Sequence, residues 1–290
     1  MENPNKTSLI SRKKVLITVV TYPLPSRSYD ELVCTAGILE DGSWIRIYPV
    51  PLQFLKGMRE NGMEKSYKYS WIELDLKKRT DDFRPESHSP ENYNFSDFVV
   101  HKRIDTKHNW KVRKHFCLKN VYTNLNTLIE DSKNPKNVSL ATFKPAKIID
   151  FIIEKDDREW KPEWKEQMNQ LQFNFEENSK SKPRIAIPKV PYKFYYQFID
   201  DKGKISKPMI EDWEIGALYW NCLRNSNGDE DEALQKIKER YFDNFALTKD
   251  IYLFLGTNKK WHIRRGKNPF VIVGVFYPPK EKVTQFDLFE

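Results

Sequence analysis

The apolar positions of this chain follow two periods. Residues 15–21 form a run that is β-branched apart from Leu16 and closes at Tyr22-Pro23-Leu24-Pro25. A second apolar run covers 32–39, and Glu40-Asp41-Gly42-Ser43 reads as a turn. Beyond it Trp44, Arg46 and Tyr48 alternate with Ile45 and Ile47, the period of a strand with two distinct faces. Further strands are predicted over 69–76, 98–104 and 147–154, a helix over 120–131, and over 79–97 a loop rich in Asp, Pro, Glu and Asn that is long enough to be functional. In the second half, residues 192–199 read as an aromatic-rich strand ending in the turn Asp200-Asp201-Lys202-Gly203. Ile210, Trp213, Ala217 and Trp220 then recur at helical spacing, as do Leu234, Ile237, Tyr241 and Phe245 behind an acidic helix start at Asp229. Strands over 251–255 and 270–276 close the pattern.

This order of elements predicts an α+β protein of two domains, each built on a curved antiparallel sheet or small OB-like barrel with added helices. The boundaries follow composition: a flexible N-terminus over 1–12, a β-rich OB-like domain over 13–155, and a helical connection with a polar linker over 156–184. An α+β domain over 185–279 and a tail over 280–290 complete the chain. A helix is expected within the connection over 162–171, with Pro162 in its first turn.

At 290 residues, with 39% hydrophobic and 14% aromatic residues, the chain is able to fold around ordinary cores without staples. Ten glycines and 31% charged residues exclude a low-complexity or disordered chain. The three cysteines, Cys34, Cys117 and Cys222, stand far apart, an arrangement that suits a reducing compartment and offers no metal framework. With no apolar run long enough to span a bilayer, a cytoplasmic protein without a membrane partner is expected.

The net charge of +8 is unevenly spread. Residues 101–120 carry seven Lys or Arg against one Asp, and residues 257–268 carry five Lys or Arg and no acid. Aromatic residues sit inside both stretches. Cations on phosphates and flat rings under bases are what a nucleic-acid surface requires. The candidate contacts are therefore Trp110, Lys111, Arg113 and Lys114 in the first stretch, and Lys259, Lys260, Trp261, Arg264 and Arg265 in the second.

Catalysis has thinner support. A Mg²⁺-dependent nuclease needs paired carboxylates and a lysine, for which Asp41, Asp75 and Lys77 are the available residue types. Alternating Glu73, Asp75 and Lys77 are equally what the exposed face of a half-buried strand contains. The acids at 211–214 and 229–232 stand where helix N-termini favour negative charge. Arg84-Pro85-Glu86-Ser87-His88 carries polar groups of the kind that form buried networks. No nucleophile–base pair, phosphate loop or dinucleotide fingerprint is present, so no cofactor is expected other than Mg²⁺ under the nuclease reading.

Two resemblances extend this reading. The blocks VLITVVTYPLPSRSYDELVCTAGILEDGSWIRIYPVP and KDIYLFLGT…NPFVIVGVFYPP resemble a bacterial family with a dual OB-like domain, found among mobile-element, DNA-modification and defence functions. That likeness implies nucleic-acid association and supplies no catalytic motif. Gln285-Phe286-Asp287-Leu288-Phe289 resembles the short peptide by which bacterial replication and repair proteins dock on the sliding clamp. There Leu288 and Phe289 would fill an apolar pocket while the Gln285 amide hydrogen-bonds. The expected function is a DNA-binding accessory protein recruited to the sliding clamp, of a mobile element or defence locus, with DNA or RNA and the clamp as partners; a Mg²⁺-dependent nuclease acting on foreign DNA and a protein-interaction adaptor are the alternatives.

Overall fold

The continuous apolar run near the start of the chain is one strand shared by two neighbours. In the computed structural model, which describes residues 10–22, 32–51, 67–92, 98–160, 162, 188–264 and 266–281, strand β1 (Ile10–Val20) pairs antiparallel with two others. Its first half pairs with β4 (Ser70–Lys78), from Ile10 opposite Lys77 to Leu16 opposite Trp71. Its second half pairs with β2 (Leu32–Ile38), from Leu16 opposite Ile38 to Val20 opposite Thr35, with a register shift between Ile17 and Val19 that bends it. β2 pairs antiparallel with β3 (Trp44–Pro51), β3 runs parallel to β5 (Ser87–Pro90), and β5 pairs antiparallel with β4. The order β1-β2-β3-β5-β4 thus returns to β1 and closes a five-stranded barrel, to which β6 (Val99–Arg103) adds on β4. A closed five-stranded barrel in this order is OB-like.

Closure explains the run. Val15, Ile17 and Val20 point into the barrel with Ile45, Ile47, Ile72, Leu74 and Leu76. Leu16 and Val19 point outward and are covered by Phe254, Val273 and Phe276. Both faces are buried, so no polar alternation survives. Gly37 sits where β1 and β2 approach most closely, and a Cβ there would overlap the Leu16 carbonyl oxygen and a Val15 methyl. Because the carbonyl belongs to the β1 ladder it cannot move aside. Gly37→Ala is expected to cost about 1–3 kcal/mol of stability by overpacking, read as a lowered urea midpoint at unchanged slope.

The rest of the chain forms two further sheets. β7 (Val121–Tyr122), β8 (Leu140–Phe143), β12 (Tyr252–Thr257) and β13 (Phe270–Phe276) lie in the order β13-β12-β8-β7, and β9 (Lys147–Lys155), β10 (Tyr192–Ile199) and β11 (Ile205–Ser206) in the order β11-β10-β9. Helices α1 (Lys107–Cys117), α2 (Leu125–Asp131), α3 (Trp213–Asn225), α4 (Glu230–Lys238) and the short α5 (Lys259–Ile263) accompany them. α4 continues as a π-helical segment over Glu239–Ala246. Asp212 and Asp229 cap α3 and α4 by accepting from the backbone N–H of Glu214 and Glu232. Lys68, buried beside the barrel, is tied to Asp212 at 3.4 Å and Glu214 at 2.6 Å, so the α3 cap also joins the two halves.

The expected division at residue 155 differs from the pairing. β8 pairs with β12 and β9 with β10, and Phe143, Ile148 and Phe151 share a core with Phe194, Phe198, Tyr219 and Leu253. Residues 121–155 therefore belong with the second half, and the barrel sheet ends at β6. The expected loop over 79–97 contains β5, which closes the barrel. The helix expected over 162–171, apart from Pro162, and the N-terminal residues 1–9 lie outside the described residues.

Candidate functional site, a cationic cavity beside the barrel

The outer face of β2 and β3 does not meet the second sheet everywhere. Between them lies a cavity of about 380 Å³, lined from the barrel by Cys34, Ala36, Arg46 and Tyr48 and from the second sheet by Leu140, Thr257, Val271 and Val273. Residues 79–88 and the start of α5 supply the remaining wall, with Arg79, Asp82, Arg84, Ser87, His88, Asn258 and Lys259. Four cationic side chains thus face two carboxyls, those of Asp82 and Glu211.

Each cation is held differently. Arg84 is forked on Asp82, with Nη2 to Oδ2 at 2.6 Å and Nε to Oδ1 at 2.9 Å, and its Nη1 donates to the Thr257 carbonyl at 3.0 Å. Ser87 adds a third hydrogen bond to Asp82 at 2.9 Å. Burial alone would raise the Asp82 pKa, but the Arg84 guanidinium and the Ser87 hydroxyl hold it well below the usual carboxylate range. Asp82 therefore adds stability that is complete above the ordinary carboxylate pKa and is lost as pH falls through its depressed one. Asp82→Ala leaves Arg84 buried and unpaired. It is expected to cost about 3–5 kcal/mol at neutral pH, with a smaller loss near pH 3, which denaturant titrations at the two pH values would resolve.

Arg79 is paired with Asp81 at 2.5 Å and lies over the Tyr48 ring at 5.6 Å, at the exposed end of the cavity. Lys259 donates to the Asp81 carbonyl at 2.9 Å. Arg46 is the exception. It is 4% exposed, and among the described residues its guanidinium makes one hydrogen bond, from Nη2 to the Ser139 carbonyl at 3.1 Å. Its buried Nε–H has no acceptor among the described residues. Burial lowers its hold on the proton, yet an arginine keeps its charge. His88 Nδ1–H donates to the Glu86 carbonyl at 2.8 Å, and burial lowers the pKa of its imidazole.

The Glu211 backbone is pinned, its N–H to the Ile272 carbonyl at 2.7 Å and its carbonyl to the Tyr22 N–H at 2.9 Å. Its carboxyl makes no hydrogen bond among the described residues, and burial raises its pKa. Glu211, Thr21 and Asn258 also line a second, more apolar cavity of about 220 Å³ that contains Tyr22, Tyr192 and Ile210.

The residues expected from sequence divide around this site. Lys259 lines the cavity; Arg264 is exposed beside it, with Ile263 and Asn258. The side chains of Lys260 and Trp261, and all of Arg265, lie outside the described residues. In the other stretch Lys111 is exposed, and Lys114 pairs with Glu281 at 2.6 Å.

Arg113 and Trp110 are corrections. Positive φ at His108, Asn109 and Trp110 makes a left-handed turn that swings both residues inward. Arg113 is 4% exposed, donates Nη2 and Nε to the Ile104 carbonyl at 2.8 and 3.1 Å, and lies 4.0 Å from the Tyr69 ring centre. Trp110 packs edge-on against Phe276 and Tyr277. Arg113 is thus not free to meet a phosphate, and the half-buried Trp110 has one side of its ring packed against the second sheet.

The nuclease candidates are engaged separately. Asp41 accepts from the Ser43 N–H and hydroxyl within its turn, Asp75 lies 3.6 Å from Arg12, and Lys77 pairs with Glu91. Among the described residues no group of three or more His, Cys, Asp or Glu side chains is placed to hold a metal ion. Gln285, Leu288 and Phe289 lie outside the described residues. No described helix is long and apolar enough to cross a membrane.

Arg46, Arg79 and Arg84 were not expected at a common site. One signal was available: an arginine between Trp44 and Tyr48 on the strand face opposite Ile45 and Ile47, which face the barrel core.

Comparison with known proteins adds family and little else. No curated protein matches this chain. A solved structure of a murine DNA binding protein bound with double-stranded DNA aligns over 95% of this chain and 99% of its own at 10% identity. With a TM-score of 0.30 that likeness carries no argument. Residues 11–119 match the model of one family described as a domain of unknown function (DUF8758), which covers the barrel. Residues 105–290, more than half of the chain, match the model of a second, and the chain belongs to that family, a domain of unknown function (DUF8757).

Proposed function

We propose that this protein binds a nucleic-acid strand in the cavity between the barrel and the second sheet, and that residues 285–289 bring it to a sliding clamp. The observation that carries the first part is the convergence of Arg46, Arg79, Arg84 and Lys259 on one cavity beside the exposed ring of Tyr48. The cavity lies on the outer face of strands two and three of the barrel, the face by which OB-type barrels take oligonucleotides. Its volume suits a single nucleotide unit and not a duplex. Arg79 and Lys259, at the open end, take strand phosphates, and Tyr48 offers a ring for a base to stack on. Lys111 and Arg264, both exposed, add long-range attraction.

The clamp part is supported by the sequence Gln285-Phe286-Asp287-Leu288-Phe289. Fluorescence anisotropy of a labelled single-stranded oligonucleotide tests the strand reading. Affinity lost on replacing Arg79 and Lys259 supports it. Affinity unchanged by that replacement moves the interface away from the cavity.

A further inference from the structure

Arg46 sets a constraint that binding along a strand does not use. Its guanidinium lies on the buried floor of the cavity, while Tyr48, Arg79 and Lys259 stand nearer the mouth. A buried cation with no carboxylate partner is costly unless an anion completes it. Among the described residues Arg46 has no ion-pair partner and its Nε–H has no acceptor, and the two carboxylates that attract it are already engaged, Asp82 by Arg84 and Ser87 and Glu86 by the N–H and hydroxyl of Ser139.

An internal phosphodiester does not reach such a floor readily. It has chain on both sides, so it must lie in a groove open at both ends. A phosphate monoester at a strand end has chain on one side only. It also carries about two negative charges at neutral pH, because its second pKa is near 6. We propose that the cavity recognises the terminal phosphate of a nucleic-acid strand, with Arg46 as the anchoring cation and the attached nucleotide extending past Glu211 towards the apolar cavity of Tyr22 and Tyr192. This rests on the strand-binding reading and narrows it to strand ends. Glu211 lines both cavities, and burial raises the pKa of its carboxyl, which lessens its repulsion of an anion there.

Cys34 supplies a readout that needs no substitution. It lines the cavity, whereas Cys117 and Cys222 are buried at 1% and 8% exposure. The experiment compares one single-stranded sequence carrying a 5′-phosphate, a 3′-phosphate or hydroxyls only, together with the corresponding nucleoside monophosphate. Affinity is read by anisotropy competition and Cys34 alkylation by peptide mass spectrometry.

The expected result is affinity about tenfold higher for one phosphorylated end than for the hydroxyl-ended strand, one charge-assisted contact being worth about 1.4 kcal/mol or more, with Cys34 alkylation slowed to match. Arg46→Met, which replaces a buried charge by an apolar side chain of similar length, should erase that difference between phosphorylated and hydroxyl-ended strands, whatever affinity it leaves for both. Equal affinity for all three strands, with binding retained, overturns end recognition and leaves the strand reading standing. Protection of Cys34 by the monophosphate as strong as by the phosphorylated strand reassigns the site to free nucleotides and overturns it as well. Absence of binding by every strand removes the strand reading itself, and the proposal with it.

Discussion

Replacing Arg79 and Lys259 together by alanine is expected to lower affinity for a single-stranded oligonucleotide about 100-fold, since a hydrogen bond to a charged group contributes about 1.5 kcal/mol or more. Both cations stand at the open end of the cavity; Arg79 pairs with the exposed Asp81 carboxylate and also meets the Tyr48 carbonyl at 3.3 Å and the Tyr48 ring, and Lys259 donates to the Asp81 carbonyl. Neither supports the core, so the folded state should change by less than about 1 kcal/mol. A thermal melt beside the binding curve separates lost affinity from lost protein. Lys111→Ala, which removes an exposed cation that does not line the cavity, serves as the comparison and should weaken binding far less. Equal effects of the two changes would indicate a diffuse electrostatic surface with no specific cleft.

Removing residues 285–290 is expected to abolish association with a bacterial sliding clamp, a loss of about 100-fold or more if Leu288 and Phe289 are the buried anchors. Replacing both of these by alanine should do as much as the truncation, because the remaining contacts are hydrogen bonds at a solvated rim. Strand binding should be unchanged in both variants. A clamp that binds the full-length and truncated chains equally, or neither, would remove the tail from the functional account. The cleft would be untouched by that result.

Much of the fold was legible because local pattern and tertiary environment agree. The alternation in 192–199 is a strand whose Phe194, Tyr196 and Phe198 face one core, and its bounds match the observed β10. The continuous run in β1 read as a buried strand because both of its faces are covered. The stripe of Leu234, Ile237, Tyr241 and Phe245 was visible as helical, although periodicity alone did not reveal the π-helical segment over its second half. β5 was not legible. Ser87-His88-Ser89-Pro90 has no apolar signal, and it is a strand only because β3 and β4 lie on either side of it.

The site was less legible than the fold, for a related reason. Its cations come from β3, the 79–88 segment and α5, and topology alone makes them neighbours. Charge density pointed to Lys259, which lines the cavity, and equally to Arg113, which does not. The two arginines Arg46 and Arg113 have related settings in sequence, each with aromatic residues within three positions and an apolar residue immediately before it. The left-handed turn at 108–110 gives Arg113 a backbone carbonyl and the Tyr69 ring as partners, whereas Arg46 keeps an unsatisfied Nε–H beside an open cavity. Sequence spacing carries no trace of that difference. The Arg84–His88 segment did read as polar-network residues, and Asp82, Arg84 and Ser87 form one network, while Glu86 separately accepts from the Ser139 N–H at 2.9 Å and hydroxyl at 2.7 Å.

The central claim, a strand held by cations converging on one cavity, is tested most directly by the salt dependence of single-strand affinity for the unaltered protein and the Arg79→Ala/Lys259→Ala variant. Each phosphate contact contributes about 0.7 to the slope of log affinity against log salt for single strands. The expected result is a clear negative slope for the unaltered protein that becomes shallower by about 1.4 in the variant. A slope near zero, or one identical in the two proteins, would contradict strand binding at this cavity.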